Sequence, residues 1–178
     1  ERSGHLYRLD PDRTLTLVLD DAGVSNGMDF TPDLTSLYHT NSTTGTISRY
    51  HYDRASGDIS FDADVVRAPE GEGVPDGMAL DANGNIWSAR WDGGALFHYA
   101  PDGLLLGSKS FPARKVSSIT FGGPDWTDAY ITLAGGTVVR VPLTPGTFRP
   151  DFDRIAAALT ARTRAIIINT PHNPSATV

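Results

Sequence analysis

The chain has 178 residues, 39% hydrophobic and 20% charged, with a net charge of −6 and a pI near 5.2, which suits a globular fold and excludes disorder by composition. The acidic balance argues against a nucleic-acid partner, and no apolar run approaches the roughly 18 residues that would cross a membrane. Without Cys there is no disulfide, no thiolate metal site and no Cys nucleophile.

Strand patterns begin almost at once. The chain opens at Glu1-Arg2-Ser3 with neither a Met nor a signal-peptide pattern, so a cytoplasmic location is the expectation and the chain reads as cut at this end. Leu6-Tyr7-Arg8-Leu9-Asp10-Pro11-Asp12 is the first of three related segments. It returns as Ile47-Ser48-Arg49-Tyr50-His51-Tyr52-Asp53 and again as Leu96-Phe97-His98-Tyr99-Ala100-Pro101-Asp102-Gly103, at spacings of 41 and 49 residues. A second landmark is Ser25-Asn26-Gly27-Met28-Asp29-Phe30. It returns as Pro75-Asp76-Gly77-Met78-Ala79-Leu80 and more loosely as Val116-Ser117-Ser118-Ile119-Thr120-Phe121, at spacings of 50 and 41 residues.

Each period holds four short strand candidates. In the second period they are residues 27–30, 36–40, 46–52 and 63–67, with turn clusters at Thr31-Pro32-Asp33, 41–45 and 54–57 between them. The next period repeats the scheme, and its first hairpin turn, Asp81-Ala82-Asn83-Gly84-Asn85, carries an Asn-Gly pair suited to positive φ angles. Four strands in about 40–50 residues is the pattern of a β-propeller blade. An evenly spaced β-sandwich would give no reason for the same hexapeptide to recur. Half a blade over 6–20, two full blades and half of another over 117–133 make about three. Such an arc leaves open sheet edges, through which self-association is the expected alternative partner mode.

Asn26, Asp76 and Ser117 hold one repeat position. At the start of an innermost strand that position faces the central channel. Carbonyl and carboxylate oxygens without His or Cys suit a hard cation such as Ca²⁺, Mg²⁺ or Mn²⁺. The plain alternative is that Asn and Asp before Gly make strand-entry turns. Gly23-Val24-Ser25-Asn26-Gly27 fits a nucleophile elbow, but that motif needs a helix after it, and a strand and turn follow here. Asn41-Ser42-Thr43 fits a glycosylation sequon by chance. His39, His51 and His98 lie in different strands without paired metal spacing and read as ordinary strand residues. Trp87 and Trp91 share one side of a strand, with core packing the default and Trp91 a candidate for the channel wall.

After Gly136 the character changes. Seventeen of the 18 Gly lie in residues 1–136, which carry 10 Lys and Arg against 19 Asp and Glu, whereas residues 137–178 carry 5 Arg against 2 Asp. Residues 137–143 read as a strand. Asp151 is an N-cap candidate for a helix whose apolar face is Phe152, Ile155, Ala156 and Leu159. Residues 165–168 read as a buried parallel strand. This is a βαβ unit, foreign to a propeller.

The motifs carry two resemblances. Ser25-Asn26-Gly27-Met28, Gly71-Glu72-Gly73-Val74-Pro75-Asp76-Gly77-Met78-Ala79-Leu80-Asp81-Ala82-Asn83-Gly84-Asn85-Ile86-Trp87 and Phe121-Gly122-Gly123-Pro124-Asp125 resemble the SMP-30/gluconolactonase/luciferin-regenerating-enzyme family over about residues 4–134. The resemblance implies a mainly β fold, a partial segment of about three blades from a six-bladed propeller. It implies one axial divalent metal (Ca, Mg, Mn or Zn) and hydrolysis of a small-molecule sugar lactone or similar cyclic ester. Asn26 matches a metal ligand of the family; Asp76 matches a ligand that is also its proposed general base. The family's Glu ligand and its substrate-gripping Arg and Asn have no counterpart here, so activity is expected to be impaired. A catalytically silent interaction module is the alternative.

The second resemblance is to class I/II aminotransferases, over about residues 137–178. It rests on Val141-Pro142-Leu143, Phe148-Arg149-Pro150-Asp151-Phe152 and Asn169-Thr170-Pro171-His172-Asn173-Pro174. It implies that Asn173 would hydrogen-bond the pyridoxal phosphate phenolic oxygen in an intact enzyme. The family's Schiff-base Lys, pyridine-facing Asp and carboxylate-binding Arg have no counterpart, so no pyridoxal phosphate is expected here and the segment is at most a remnant. The expected domains are 1–136, a partial propeller, and 137–178, an aminotransferase-like βαβ fragment.

Overall fold

The structure, a computed structural model, describes residues 4–134 and, beyond them, Ala157 alone. The chain divides into two units, Glu1–Gly136 and Thr137–Val178. The strand, helix and strand expected over 137–168, and Asn173, lie outside the described residues.

Twelve strands run through the described part of the first unit: β1 (Gly4–Leu9), β2 (Leu15–Gly23), β3 (Ser25–Phe30), β4 (Ser36–Asn41), β5 (Thr46–Tyr52), β6 (Ile59–Arg67), β7 (Val74–Leu80), β8 (Ile86–Trp91), β9 (Ala95–Tyr99), β10 (Leu105–Ser110), β11 (Lys115–Gly122) and β12 (Asp128–Ala134). They form four antiparallel sheets of two, four, four and two strands, each in sequence order. Consecutive order without crossover is that of propeller blades and excludes a Greek-key sandwich. The first repeated landmark falls on β1, β5 and β9, the second on β3, β7 and β11. The blades therefore follow the two sequence periods. Three strands exceed their expected spans: β3 starts two residues before 27, β4 ends one residue after 40 and β6 starts four residues before 63.

The core sits between successive sheets. Tyr38, Ile47, Val66, Met78, Ile86 and Tyr99 form one buried cluster, and Ala79, Ala89, Leu96, Val116 and Ile119 form another. Strand periodicity explains how one sheet serves both: Met78 faces the first cluster and its neighbour Ala79 the second. Polar ties cross the same gap. Asp29 Oδ2 accepts from the Leu80 N–H at 2.9 Å, and the Tyr38 hydroxyl donates to the Pro101 carbonyl at 3.0 Å. Among the described residues no helix is long and apolar enough to cross a membrane.

The turn at 81–85 departs from the expected Asn-Gly geometry. Gly84 alone takes a positive φ, of 78°. The Asp81 carboxylate accepts from the Asn83 and Asn85 N–H groups and from the side chains of Asn85 and Trp87. That cradle holds Asn83 in the ordinary region and leaves the left-handed step to Gly84.

Candidate metal and substrate site

The innermost strands β3, β7 and β11 share a local distortion. Each pairing slips register at one place: between Ser25 and Met28, between Pro75 and Met78, and between Val116 and Ser118. Those slips bracket Asn26, Asp76 and Ser117. A bulge re-aims the side chains it contains, so the equivalence inferred from spacing has a structural basis. Asn26-Gly27 and Asp76-Gly77 lie inside β3 and β7. The strand-entry-turn explanation therefore does not hold.

The glycine after each of these residues has another cause. A Cβ on Gly27 would collide with the backbone nitrogen of Met78 in the next inner strand, and one on Gly77 would meet the Ser117 carbonyl oxygen at 2.6 Å. Only glycine lets neighbouring inner strands approach this closely.

Asn26 and Asp76 line one cavity of about 280 Å³ together with Val24, Ser42, Val74 and Trp91. The lining is pseudo-symmetric. Val24 and Val74 are repeat partners, as are Asn26 and Asp76. Ser25 pairs with Asn41 where Pro75 pairs with Arg90, which makes Ser42 the partner of Trp91. Two blades thus contribute the same three positions. The volume lies just below the range of small-molecule sites, about 300–1,000 Å³. Trp91, the channel-wall candidate, reaches the cavity; Lys115 Nζ lies 4.7 Å from its ring centroid. Trp87 packs in the core and donates to Asp81. Ser117 turns aside, its hydroxyl held by Thr132.

Burial pushes the Asp76 carboxyl above the usual carboxylate range, with a hydrogen bond from the Gly77 N–H opposing the shift. Asn26 Nδ2 donates to Ser42 Oγ at 2.8 Å, and Ser42 Oγ donates to the Pro75 carbonyl at 2.6 Å. With Asn26 Nδ2 bonded to Ser42, the ligand atoms that Asn26 and Asp76 have to offer are oxygens, which fits a hard divalent cation rather than a soft one. Among the described residues no group of three His, Cys, Asp or Glu is placed to hold a metal.

Sequence reasoning missed one polar residue of this cavity. Ser42 passed for part of a chance sequon; its repeat relation to Trp91 is the signal that could have found it. His39, read as a strand residue, lies in β4 outside the cavity lining, 1% exposed, with its Nε2 2.7 Å from the Ser25 hydroxyl. Ser25 itself opens β3, a strand rather than the helix of a nucleophile elbow.

A larger cavity, about 520 Å³, is lined by Asp92, Pro112, Ala113, Arg114, Lys115 and Ala134. It brings together no pair of oxygen donors from equivalent positions.

A sequence profile of the SMP-30/Gluconolactonase/LRE-like region matches residues 1–135, and one of Aminotransferase class I and II matches residues 120–178. The two overlap over the end of the propeller part. Pentonolactonase XacC of Haloferax volcanii is 47% identical over 133 residues, 75% of this chain and 46% of its own length. Regucalcin of Danio rerio is 35% identical over 130 residues, 72% of this chain and 44% of its own length. Among solved structures, a luciferin-regenerating enzyme superposes with a TM-score of 0.72 at 28% identity, covering 75% of this chain and 45% of that one. A calcium-binding regucalcin of Agrobacterium tumefaciens superposes with a TM-score of 0.69 at 26% identity, covering 88% and 49%. The chain spans less than half the length of each of these relatives.

Proposed function

The chain belongs to the SMP-30/gluconolactonase/LRE-like family through its residues 1–135, and from that membership we propose that its cavity serves metal-assisted hydrolysis of a sugar lactone. The observation that supports this most is the shared cavity of Asn26 and Asp76, with a register slip aiming each side chain. Asn26 Oδ1 and the Asp76 carboxylate would hold the cation. When bound, a hard divalent cation polarises a lactone carbonyl and acidifies a water. Asp76 accepts the proton of the attacking water at its carboxylate oxygen. Val24, Val74 and the Trp91 ring give the pocket its apolar flanks, against which the carbon face of a small ring can lie.

The test is hydrolysis of a sugar lactone by the purified chain, with and without added Ca²⁺ or Mn²⁺, beside Asp76→Asn. Metal-dependent turnover that the variant loses supports the reading. Turnover that ignores both metal and variant contradicts it.

Ligand count favours a second reading, a catalytically silent β-rich module. Two oxygen donors fall well short of the roughly six to eight around Ca²⁺. Absence of turnover despite metal binding would select it. For residues 137–178 we propose an aminotransferase-like fragment bounded near Gly136, in which Asn173 matches the residue that would contact pyridoxal phosphate in an intact enzyme. A pyridoxal-phosphate absorption band in the purified protein would instead give this part a binding role of its own.

A further inference from the structure

We infer that Ser42 is the positioning residue of this site: its hydroxyl fixes the face that the Asn26 amide turns toward the cavity and ties the two ligand-bearing strands together. The inference rests on reading Asn26 and Asp76 as cation ligands.

Counting protons carries the argument. A serine hydroxyl has one hydrogen and two lone pairs. The Pro75 carbonyl can only accept, and it lies 2.6 Å from Ser42 Oγ, so the single hydroxyl hydrogen is spent there. Toward Asn26, at 2.8 Å, Ser42 can then only accept. Asn26 must present its NH₂ group to Ser42. Oxygen and nitrogen of an amide are assigned from the network around them, and here the network admits one answer. A turned amide would set two acceptors against one hydrogen.

The consequence is chemical. With Nδ2 committed to Ser42, the donor left for the cavity is Oδ1, the atom a hard cation binds. The amide nitrogen in its place would repel the cation. The same hydroxyl reaches the residue immediately before Asp76. One side chain therefore links the ligand of β3 to the strand that carries the ligand of β7. Outer-sphere partners of this kind are typically worth about 10–100-fold in metal affinity.

The test is Mn²⁺ binding by the whole chain, followed by calorimetry or by the paramagnetic signal of free ion, together with the side-chain amide resonances of Asn26 in ¹⁵N-labelled protein. Ser42→Ala should weaken Mn²⁺ about tenfold or more and shift the Asn26 NH₂ resonances. Ser42→Thr, which keeps the hydroxyl, should restore both. In an Asn26→Ala background, Ser42→Ala should cost clearly less than in the unsubstituted chain, only the Pro75 link being left to lose, whereas a merely structural role would give the same loss in both. Mn²⁺ binding that is lost in Asp76→Asn but untouched by Ser42→Ala overturns the role of Ser42 alone. Equal affinity of the unsubstituted chain and Asp76→Asn overturns the ligand reading beneath it.

Discussion

Gly27 lies against the backbone of Met78 so closely that no side chain fits between the two inner strands. The obstacle is main chain, which cannot swing aside as a flexible side-chain tip could. Gly27→Ala and Gly77→Ala should therefore each destabilise the propeller part by about 1–3 kcal/mol or more, the range of overpacked cores. Gly107, in β10, meets nothing within 4 Å and has no positive φ. Gly107→Ala should be neutral or stabilise by up to about 1 kcal/mol. Urea denaturation of the three variants checks this, and equal losses in all three would contradict it.

Arg90 is wholly buried. Its Nη1 donates to Ser88 Oγ at 2.8 Å and its Nη2 to the Tyr99 hydroxyl at 2.6 Å, with the guanidinium 4.8 Å from the Phe97 ring centroid. Burial pulls its pKa below the usual value, with Tyr99 opposing the shift. Tyr99→Phe strips an acceptor from a buried cation and should cost about 1–3 kcal/mol. In an Arg90→Met background the same change should cost almost nothing, because no donor is left waiting. A double-mutant cycle in urea reads the coupling; additive losses would refute it.

Acid should weaken the fold through His39. Unfolded imidazole ionises near 6.5, and burial holds His39 below that. Between the two values the unfolded chain takes up a proton that the folded chain refuses. Stability is thus complete above about 6.5 and falls as pH drops toward the folded value. Gln at 39 keeps a polar partner for Ser25 but takes up no proton. Melting temperature should fall more steeply in the unsubstituted protein than in His39→Gln between about pH 7 and 5. Parallel curves would assign the acid loss elsewhere.

Much of this was readable in the residues because a propeller repeats in sequence what it repeats in space. Two landmarks of similar period were enough to place the two-, four-, four- and two-stranded sheets, and to align Asn26 with Asp76. Close approach was not readable. Gly27 and Gly77 look like turn glycines until Met78 and Ser117 are seen against them. Register slips leave no local mark either, since a bulge is a relation between two strands. The Ser42 link to Asn26 and Pro75 spans 16 and 33 residues, and the Ser25–His39 pair 14. No periodicity within one strand encodes contacts at those separations.

The proposal that Asn26 and Asp76 hold one cation between them is most directly tested by titrating Mn²⁺ into the purified chain and following free ion by paramagnetic resonance. The account predicts one site per chain, of about 10⁻⁴–10⁻³ M affinity as befits few protein ligands, abolished by Asp76→Asn and weakened by Asn26→Ala. Binding that survives Asp76→Asn undiminished, or none at all at millimolar Mn²⁺, would contradict it.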